Sequence, residues 1–379
     1  MNILARLPES YEVIRQEAET FATSLEPMAV EADASSEIHS GVLEAVRRSG
    51  LIRYAVPAEF GGAFEKVDPF AVCLIREELM RVCSHADSLF ALQGIGSYAI
   101  AIAGSEEMRN EWLPRVATGE VLAGLALTEP VAGSDLKGIT TTARPVDDSF
   151  VIDGHKSFIS NAGAAGYYTV LAQEEGQGLS AFLVPADTPG VSTRPAPELI
   201  APHVLGDVIF DSVVVPATAR IGDPGNGLGP VLATLAVFRI SVAGAAVGLA
   251  QRALEEATRH ARTREQFGRP LLRLGPVAGL LADSWADVAS SRLLTYQAAQ
   301  LAQEDPQRHI EHSSLAKLAA TEACSRVVDR CVQVMGRWGL IHDSRIERCY
   351  RQARAMRIYE GASEVIRLGI ARELGKEVS

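Results

Sequence analysis

Four short segments carry side chains that could do chemistry. Residues 125–135 (LALTEPVAGSD), continuing to Gly138, run a strand end into a Pro130/Gly133 turn. That turn presents the hydroxyls of Thr128 and Ser134 and several free backbone N–H groups, which suits a planar heterocycle bearing carbonyl and imine acceptors. In residues 154–161 (GHKSFISN), Phe158 could cover one face of such a ring while the Ser160 hydroxyl bonds its edge. Residues 263–268 (TREQFG) offer Arg264 to a phosphate and Phe267 for stacking. In residues 357–364 (RIYEGASE), Glu360 stands between the Ile358-Tyr359 pair and Gly361, just ahead of a helical pattern over 365–374. A carboxylate among apolar groups has a raised pKa, as a general base working near neutrality requires. Its own N–H, at a helix start, could meet a carbonyl oxygen as negative charge develops there.

Taken singly, each segment has a plainer reading that would be preferred. The first is an ordinary strand-to-loop corner. The second is a hairpin strand with an inward Phe158. In the third, Arg259, Arg262, Arg264 and Arg269 are a solvated charged face. The fourth is a glutamate favoured by a helix dipole.

The elements that must position these segments fall in three blocks. The first, over 11–119, is helical: Val42, Leu43, Val46 and Leu51 keep helical spacing, and 71–82 repeats it. Turns punctuate it at Pro57-Ala58, Gly61-Gly62 and Gly104-Ser105. Composition changes near Glu120. Residues 140–215 are rich in Thr, Val, Ile and Phe in short alternating runs, separated at 147–149, 153–154, 174–178 and 187–190. That pattern predicts hairpin strands in a small barrel or sandwich. Helices are predicted again over 231–262, 277–304 and 313–335, broken at 267–270, Pro306 and 336–339. The resulting fold class is α+β and multi-domain, divided as 1–119, 120–223 and 224–379. No G-x-G-x-x-G follows a strand and opens a helix, and the Gly-rich 222–229 reads as a linker.

Composition narrows the class further. A chain of 379 residues, 47% hydrophobic, with 32 Gly and 18 Pro, reads as a soluble globular protein of two or three units. No apolar run is expected to reach bilayer-spanning length; the longest candidate, 98–103, gives way to Gly104-Ser105-Glu106-Glu107. Arg6, Glu9, Glu12, Glu17 and Glu19 argue against a secretory or mitochondrial leader. The five cysteines (Cys73, Cys83, Cys324, Cys331, Cys349) form no C-x-x-C pair and read as reduced thiols in a cytoplasmic setting. A net charge of −11 disfavours nucleic acid and anionic membrane as partners. No metal site is expected, because His309 and His312 lack acidic or Cys partners at ligand spacing.

The four segments, in this order on helix–strand–helix architecture, resemble the acyl-CoA dehydrogenase family across essentially the whole chain. The T-E-x-x-x-G-S-D turn and the I-Y-E-G segment are its specific marks. The resemblance implies an N-terminal all-α domain, a central β-barrel and a C-terminal four-helix bundle in a homotetramer, with FAD between barrel and bundle. It places Leu127 and Thr128 at the flavin's pyrimidine side, with Phe158 and Ser160 around the ring and its N5. Arg264 and Phe267 would reach a neighbouring subunit's FAD, with Gln333 and Gly336 near the adenosine part. Ser134 and Arg239 would lie along the CoA arm, Tyr359 beside the acyl chain, and Phe238 and Gly361 also at the substrate. Leu92, Ile95 and Tyr98 are expected in the acyl pocket with Phe238 and Tyr359.

Glu360 matches the family's catalytic base. Some members place the base on the long helix at the position of Phe238, which cannot take a proton. The implied reaction is α,β-dehydrogenation of an acyl-CoA thioester to a trans-2-enoyl product, with electrons passing to an electron-transfer flavoprotein. Three departures stand out. Residues 200–206 (IAPHVLG) replace the usual Gly-Arg-Gly-Ser-like turn, which puts any partner contact there in doubt. Gly336-Arg337 replaces Gly-Gly, which would alter the adenosine contact. Arg351-Gln352 replaces Arg-Asp, which would remove a local ion pair. Two rival readings are an oxidase reducing O2 and a non-catalytic DNA-binding or scaffold protein. The absence of a long C-terminal extension disfavours the first; Glu360 and the acidic balance disfavour the second.

Overall fold

The computed structural model describes residues 7–377; Arg6 lies outside them. Helices α1 (Glu9–Ser24), α2 (Glu26–Asp33), α3 (Ser40–Ser49), α4 (Pro69–Val82), α5 (Ser84–Ala103) and α6 (Glu106–Ala117) come first. Strands follow: β1 (Ala123–Ala126), β2 (Thr142–Val146), β3 (Ser149–Ser160), β4 (Tyr167–Glu174), β5 (Gly178–Pro185), β6 (Val191–Pro195), β7 (Leu205–Pro216) and β8 (Arg220–Ile221). Helix α7 (Leu228–Thr263), a small hairpin of β9 (Glu265–Gln266) and β10 (Arg269–Pro270), and helices α8 (Gly275–Glu304), α9 (Ile310–Met335), α10 (Arg345–Met356) and α11 (Ser363–Glu377) complete the chain. The helix–strand–helix order expected from periodicity is therefore the order observed.

Local chemistry explains several boundaries. Ser105 and Ser344 cap α6 and α10, their hydroxyl oxygens accepting the N–H of Met108 at 3.2 Å and of Glu347 at 3.4 Å. Helix α9 ends where Gly336 takes φ 58°, a conformation glycine enters at little cost.

The described chain forms two compact units, each assembled from separated stretches. One comprises 7–34, 69–87 and 239–377. Its core joins Phe70, Cys73 and Leu74 of α4 to Ala243, Val247 and Leu254 of α7, Val288 of α8, Cys324 and Val327 of α9, and Cys349 of α10. Helix α4 lies directly on α7. A Cβ added at Gly248 would sit 1.9 Å from the Glu77 carbonyl oxygen, and one at Gly244 would sit 2.6 Å from that of Cys73. Two glycines one turn apart thus let two backbones touch, a closeness that any side chain there would prevent.

The other unit comprises 35–68 and 88–238. It contains an eight-stranded sheet in the order β6-β7-β3-β2-β4-β5-β8, with β1 parallel to β4. Among the described residues no hydrogen-bonded pair joins β6 to β8, so the sheet is open and the expected closed barrel is corrected. Strand β8, two residues long, is too short to close it. The predicted break at Asp153-Gly154 is also corrected: β3 runs through it, with its pairing to β7 shifted between Ile152 and Gly154. Glycine within a strand commonly marks such a bulge, and a Cβ at Gly154 would meet Thr141 Oγ1 at 2.3 Å.

Two helices, α5 and α7, prove long and apolar enough to cross a membrane, contrary to the reading that no run reaches that length. Their most apolar windows are 72% and 83% buried within the fold, which marks them as core helices. Interspersed Gly and polar residues, such as Gln93 and Ser97 in α5 and Thr234, Arg239 and Ser241 in α7, interrupt them as continuous apolar segments.

Candidate active site

Helix α10 ends at Met356, and the N–H groups of Ile358 and Tyr359 both fold back to the Ala355 carbonyl, at 2.9 and 3.2 Å. The chain then turns through Glu360 at φ 51° and Gly361 at φ 106° before α11 begins at Ser363. Glu360 is therefore not at a helix start, as the sequence suggested. It occupies a left-handed turn between two helices, where a non-glycine residue costs on the order of 1–3 kcal/mol and persists only if its surroundings hold it.

Two cations provide that hold. Arg239 of α7 donates Nε to the Glu360 carbonyl at 3.1 Å and Nη1 to Ser314 Oγ of α9 at 3.0 Å. One turn along α9, Lys317 donates Nζ to the Gly361 carbonyl at 2.7 Å. The turn's two carbonyls are thus tied to two separate helices. The Glu360 N–H has no acceptor among the described residues, and its carboxylate Oε2 is buried without a partner.

Burial pushes the Glu360 carboxyl above its ordinary value; the charges of Arg76, Lys317 and Arg239 offset only part of that rise. Burial likewise brings the Lys317 ammonium down to about 8, against the pull of Glu360. Arg76 itself is buried, with Asp87 accepting from Nε and Nη2 at 2.9 and 2.8 Å and Ser241 accepting from Nη1 at 2.9 Å. A strained, half-buried carboxylate with one unpartnered oxygen beside an unused N–H can take a proton from a carbon while that N–H supports a developing oxyanion.

In the sheet unit, Leu127 and Thr128 follow the end of β1. Lys156 Nζ donates to the Leu127 carbonyl at 3.0 Å and to Glu129 Oε1 at 2.9 Å, and the Ser157 N–H donates to the Thr128 carbonyl at 2.9 Å. The buried Glu129 carboxylate also accepts from the N–H and hydroxyl of both Thr140 and Thr141, at 2.6–2.9 Å. The turn is locked, yet among the described residues the N–H groups of Leu127 and Thr128 and the Thr128 hydroxyl have no acceptor. Phe158 sits on a second bulge of β3 at φ 54°, 56% exposed. This overturns the inward-Phe reading: the bulge turns an aromatic ring outward instead of burying it. Ser160 follows on the same strand, and Ser134 lies on the exposed outer part of the turn. Unused donors beside a protruding ring fit a flat, acceptor-rich group such as the flavin of FAD.

Phe238 is fully buried and meets Tyr98 edge-on at 6.0 Å; Leu92 and Ile95 are buried in the same unit. Tyr359 is exposed on the helical unit. Arg264 sits between α7 and the β9–β10 hairpin, whose turn raises Phe267 at φ 52° and 90% exposure. Gln333 and Gly336 lie exposed at the end of α9. Among the described residues, none of these four joins the hydrogen bonds that hold Glu360.

Sequence reasoning missed Ser314, Lys317, Arg76, Glu129, Lys156 and His203. Lys156 and Lys317 carried a signal, each being a charged residue at an inward position of an otherwise apolar pattern. The histidine expectation is corrected as well: His309, Glu311 and His312 bring ligand-type atoms within 4.8 Å of one another, and Glu311 is the acidic partner thought lacking. At Arg351-Gln352 the expected loss of an ion pair does not occur. Arg351 pairs with Glu347 at 2.6 Å and Asp343 at 2.9 Å, while Gln352 donates to Asp33 and Ser84. Arg337 stacks over Trp338 at 5.4 Å.

Family models for the N-terminal, middle and C-terminal domains of acyl-CoA dehydrogenase match residues 8–120, 124–213 and 225–375. A cyclohexane-1-carbonyl-CoA dehydrogenase of Geobacter metallireducens is 34% identical over 97% of each chain. The short-chain specific mitochondrial acyl-CoA dehydrogenase of Homo sapiens is 34% identical over 97% of this chain and 90% of its own. Among solved structures, a glutaryl-CoA dehydrogenase of Mycobacterium smegmatis in complex with FADH2 superposes with a TM-score of 0.91. It is 27% identical, covering 97% of this chain and 95% of that one.

Proposed function

Because the chain belongs to the acyl-CoA dehydrogenase family, we propose that it is an FAD-dependent enzyme that desaturates an acyl-CoA thioester between its α and β carbons. The observation that carries this reading is the Glu360 turn. A left-handed glutamate has a buried, unpartnered carboxylate oxygen and an unused N–H, on a turn whose carbonyls are held by Arg239 and Lys317.

FAD, when bound, supplies the acceptor for the hydride that leaves the β-carbon. Leu127, Thr128, Phe158 and Ser160 would hold the flavin ring, and Arg264, Phe267, Gln333 and Gly336 its phosphate and adenosine parts. Arg239 and Ser134 would orient the CoA arm, with Tyr359 and Gly361 beside the acyl group. The Glu360 N–H would then donate to the thioester carbonyl oxygen, which makes the α-carbon more acidic, and the Glu360 carboxylate takes the α-proton. Its raised pKa matches that task. Phe238 fills space that a smaller side chain would leave open, so we infer a compact or cyclic acyl group, in keeping with the cyclohexane-1-carbonyl relative. An electron-transfer flavoprotein as electron acceptor, a homotetrameric assembly and a cytoplasmic location complete the reading.

Glu360→Gln tests it. The variant keeps the volume and the N–H, so FAD and thioester should still bind. Flavin bleaching by a panel of saturated acyl-CoAs should slow at least ~10²–10⁴-fold, the usual worth of a positioned base. Glu364, exposed and paired to Arg367 at 3.9 Å, is the control: Glu364→Gln should bleach normally. Near-parental bleaching by Glu360→Gln would remove the base and reopen the scaffold reading.

A further inference from the structure

Residues 200–206, where this chain departs from its family, place His203 beside the serine expected at the flavin edge. His203 Nε2 lies 3.3 Å from Ser160 Oγ and 3.4 Å from Ser88 Oγ of α5, all three within the sheet unit. An imidazole nitrogen carries either one lone pair or one proton, so it cannot serve both hydroxyls fully at once. Two hydroxyls therefore compete for one nitrogen, and one of them has a second possible partner outside the protein.

We propose that His203 is a positioning residue for the Ser160 hydroxyl, its Nε2 being the alternate acceptor to which that hydroxyl turns when the flavin edge changes from acceptor to donor. The proposal rests on the FAD reading above. An oxidised flavin offers a lone pair at N5, toward which Ser160 would donate; Ser88 then donates to Nε2 and keeps it satisfied. A reduced flavin offers an N–H at the same place, so Ser160 must accept there and send its own hydrogen elsewhere. Nε2 is the acceptor within reach. Ser88 yields, since a serine within a helix can donate instead to a backbone carbonyl one turn earlier. The Ser160 proton stays on Oγ throughout, so the step is a rotation and no bond to hydrogen is broken. His203, with its proton on Nδ1, thereby stabilises the reduced state through Ser160 without touching the flavin.

The opposed roles of the two partners make the proposal testable. The measurement is the reduction potential of bound FAD, read by absorbance against reference dyes on the whole loaded protein. His203→Phe removes the alternate acceptor. At a fixed potential the reduced-to-oxidised ratio should fall about three- to tenfold, the worth of one hydrogen bond, tenfold being about 30 mV for two electrons. His203→Gln, whose side-chain oxygen can accept, should restore most of it. Ser88→Ala removes the hydroxyl that satisfies Nε2 in the oxidised state and should shift the ratio the other way. On a Ser160→Ala background, His203→Phe should change nothing. An unchanged potential in flavin-loaded His203→Phe, shifts of the same sign for His203→Phe and Ser88→Ala, or an equal shift without Ser160 would each overturn the proposal alone. A parent chain that takes up no FAD would overturn it together with the reading on which it rests.

Discussion

The ring of Phe238 occupies the space that a side chain at residue 94 would need: a Cβ added to Gly94 would lie 2.1 Å from Phe238 Cζ. Phe238 is fully buried and Tyr98 meets it edge-on, so the ring cannot simply move aside. Gly94→Ala should therefore destabilise the protein by about 1–3 kcal/mol, the usual cost of overpacking. Phe238→Leu in the same chain should recover most of that loss. Urea denaturation of both singles and the double variant measures the coupling, and additive losses would show that the two positions do not share the space.

The same pair bears on substrate choice. Phe238→Thr should empty volume and shift the chain-length profile toward longer acyl groups in an acyl-CoA panel with an artificial electron acceptor. An unchanged profile would remove Phe238 from the specificity argument.

Glu360 carries a pH signature in both rate and stability. As the base it must be deprotonated, so the acid limb of the turnover rate should lie above the ordinary glutamate value of 4.5. Lys317→Met removes a cation that holds that pKa down and should move the limb to higher pH. A limb that stays in place would leave Lys317 only its bond to Gly361. For stability the sign reverses. A carboxyl raised in the folded state penalises the fold increasingly as pH rises from the unfolded value through the folded one. Glu360→Gln should thus be more stable than the parent, with a gain that grows over that window and then levels off.

Glu129 should behave in the opposite way. Burial alone would raise its carboxyl, but hydrogen bonds from Thr141, Lys156 and Thr140 outweigh it and hold the group at about 2. Its contribution is present above pH ~4.5 and lost as pH falls toward ~2, so acid unfolding of the parent should steepen there and Glu129→Gln should flatten it. Lys156→Met leaves a buried carboxylate without its ion partner and should cost about 3–5 kcal/mol at neutral pH. Thermal melts across a pH series would decide both.

Phe267 stands on the exposed two-residue turn of the β9–β10 hairpin, and exposed Arg264 stands just ahead of β9. If they reach the FAD of a second copy, as the family resemblance implies, Arg264→Ala should reduce flavin retention and the tetramer fraction together. Gel filtration with absorbance at the flavin band tests this. Full flavin content in an intact tetramer would remove the cross-subunit role.

Local pattern was enough to place most elements. Helical periodicity over 231–262, 277–304 and 313–335 lies within α7, α8 and α9, because long helices repeat their apolar face often enough to be read without tertiary help. Turn chemistry at 147–149 and 174–178 separated the strands for the same local reason. Asp153-Gly154 misled because a glycine bulge inside one strand and a turn between two present the same residues; only pairing with β7 distinguishes them. Sheet closure was equally out of reach, since it depends on whether the two edge strands meet.

For the candidate site, the sequence by itself singled out Glu360, Thr128, Phe158 and Ser160 by type, order and resemblance. The tertiary structure decided how they are held. Arg239 and Lys317 lie far from Glu360 along the chain, yet they fix its carbonyl and that of Gly361. Glu129 locks its turn through Thr140, Thr141 and Lys156. His203 reaches Ser160 from a loop whose sequence showed only that it departs from the family. Residue type sets what a group can do chemically, and spacing sets which neighbours along the chain it meets. Burial, strain at a left-handed glutamate and partners brought from other helices arise only when distant segments pack, and those fix the proton affinity on which the proposed chemistry depends.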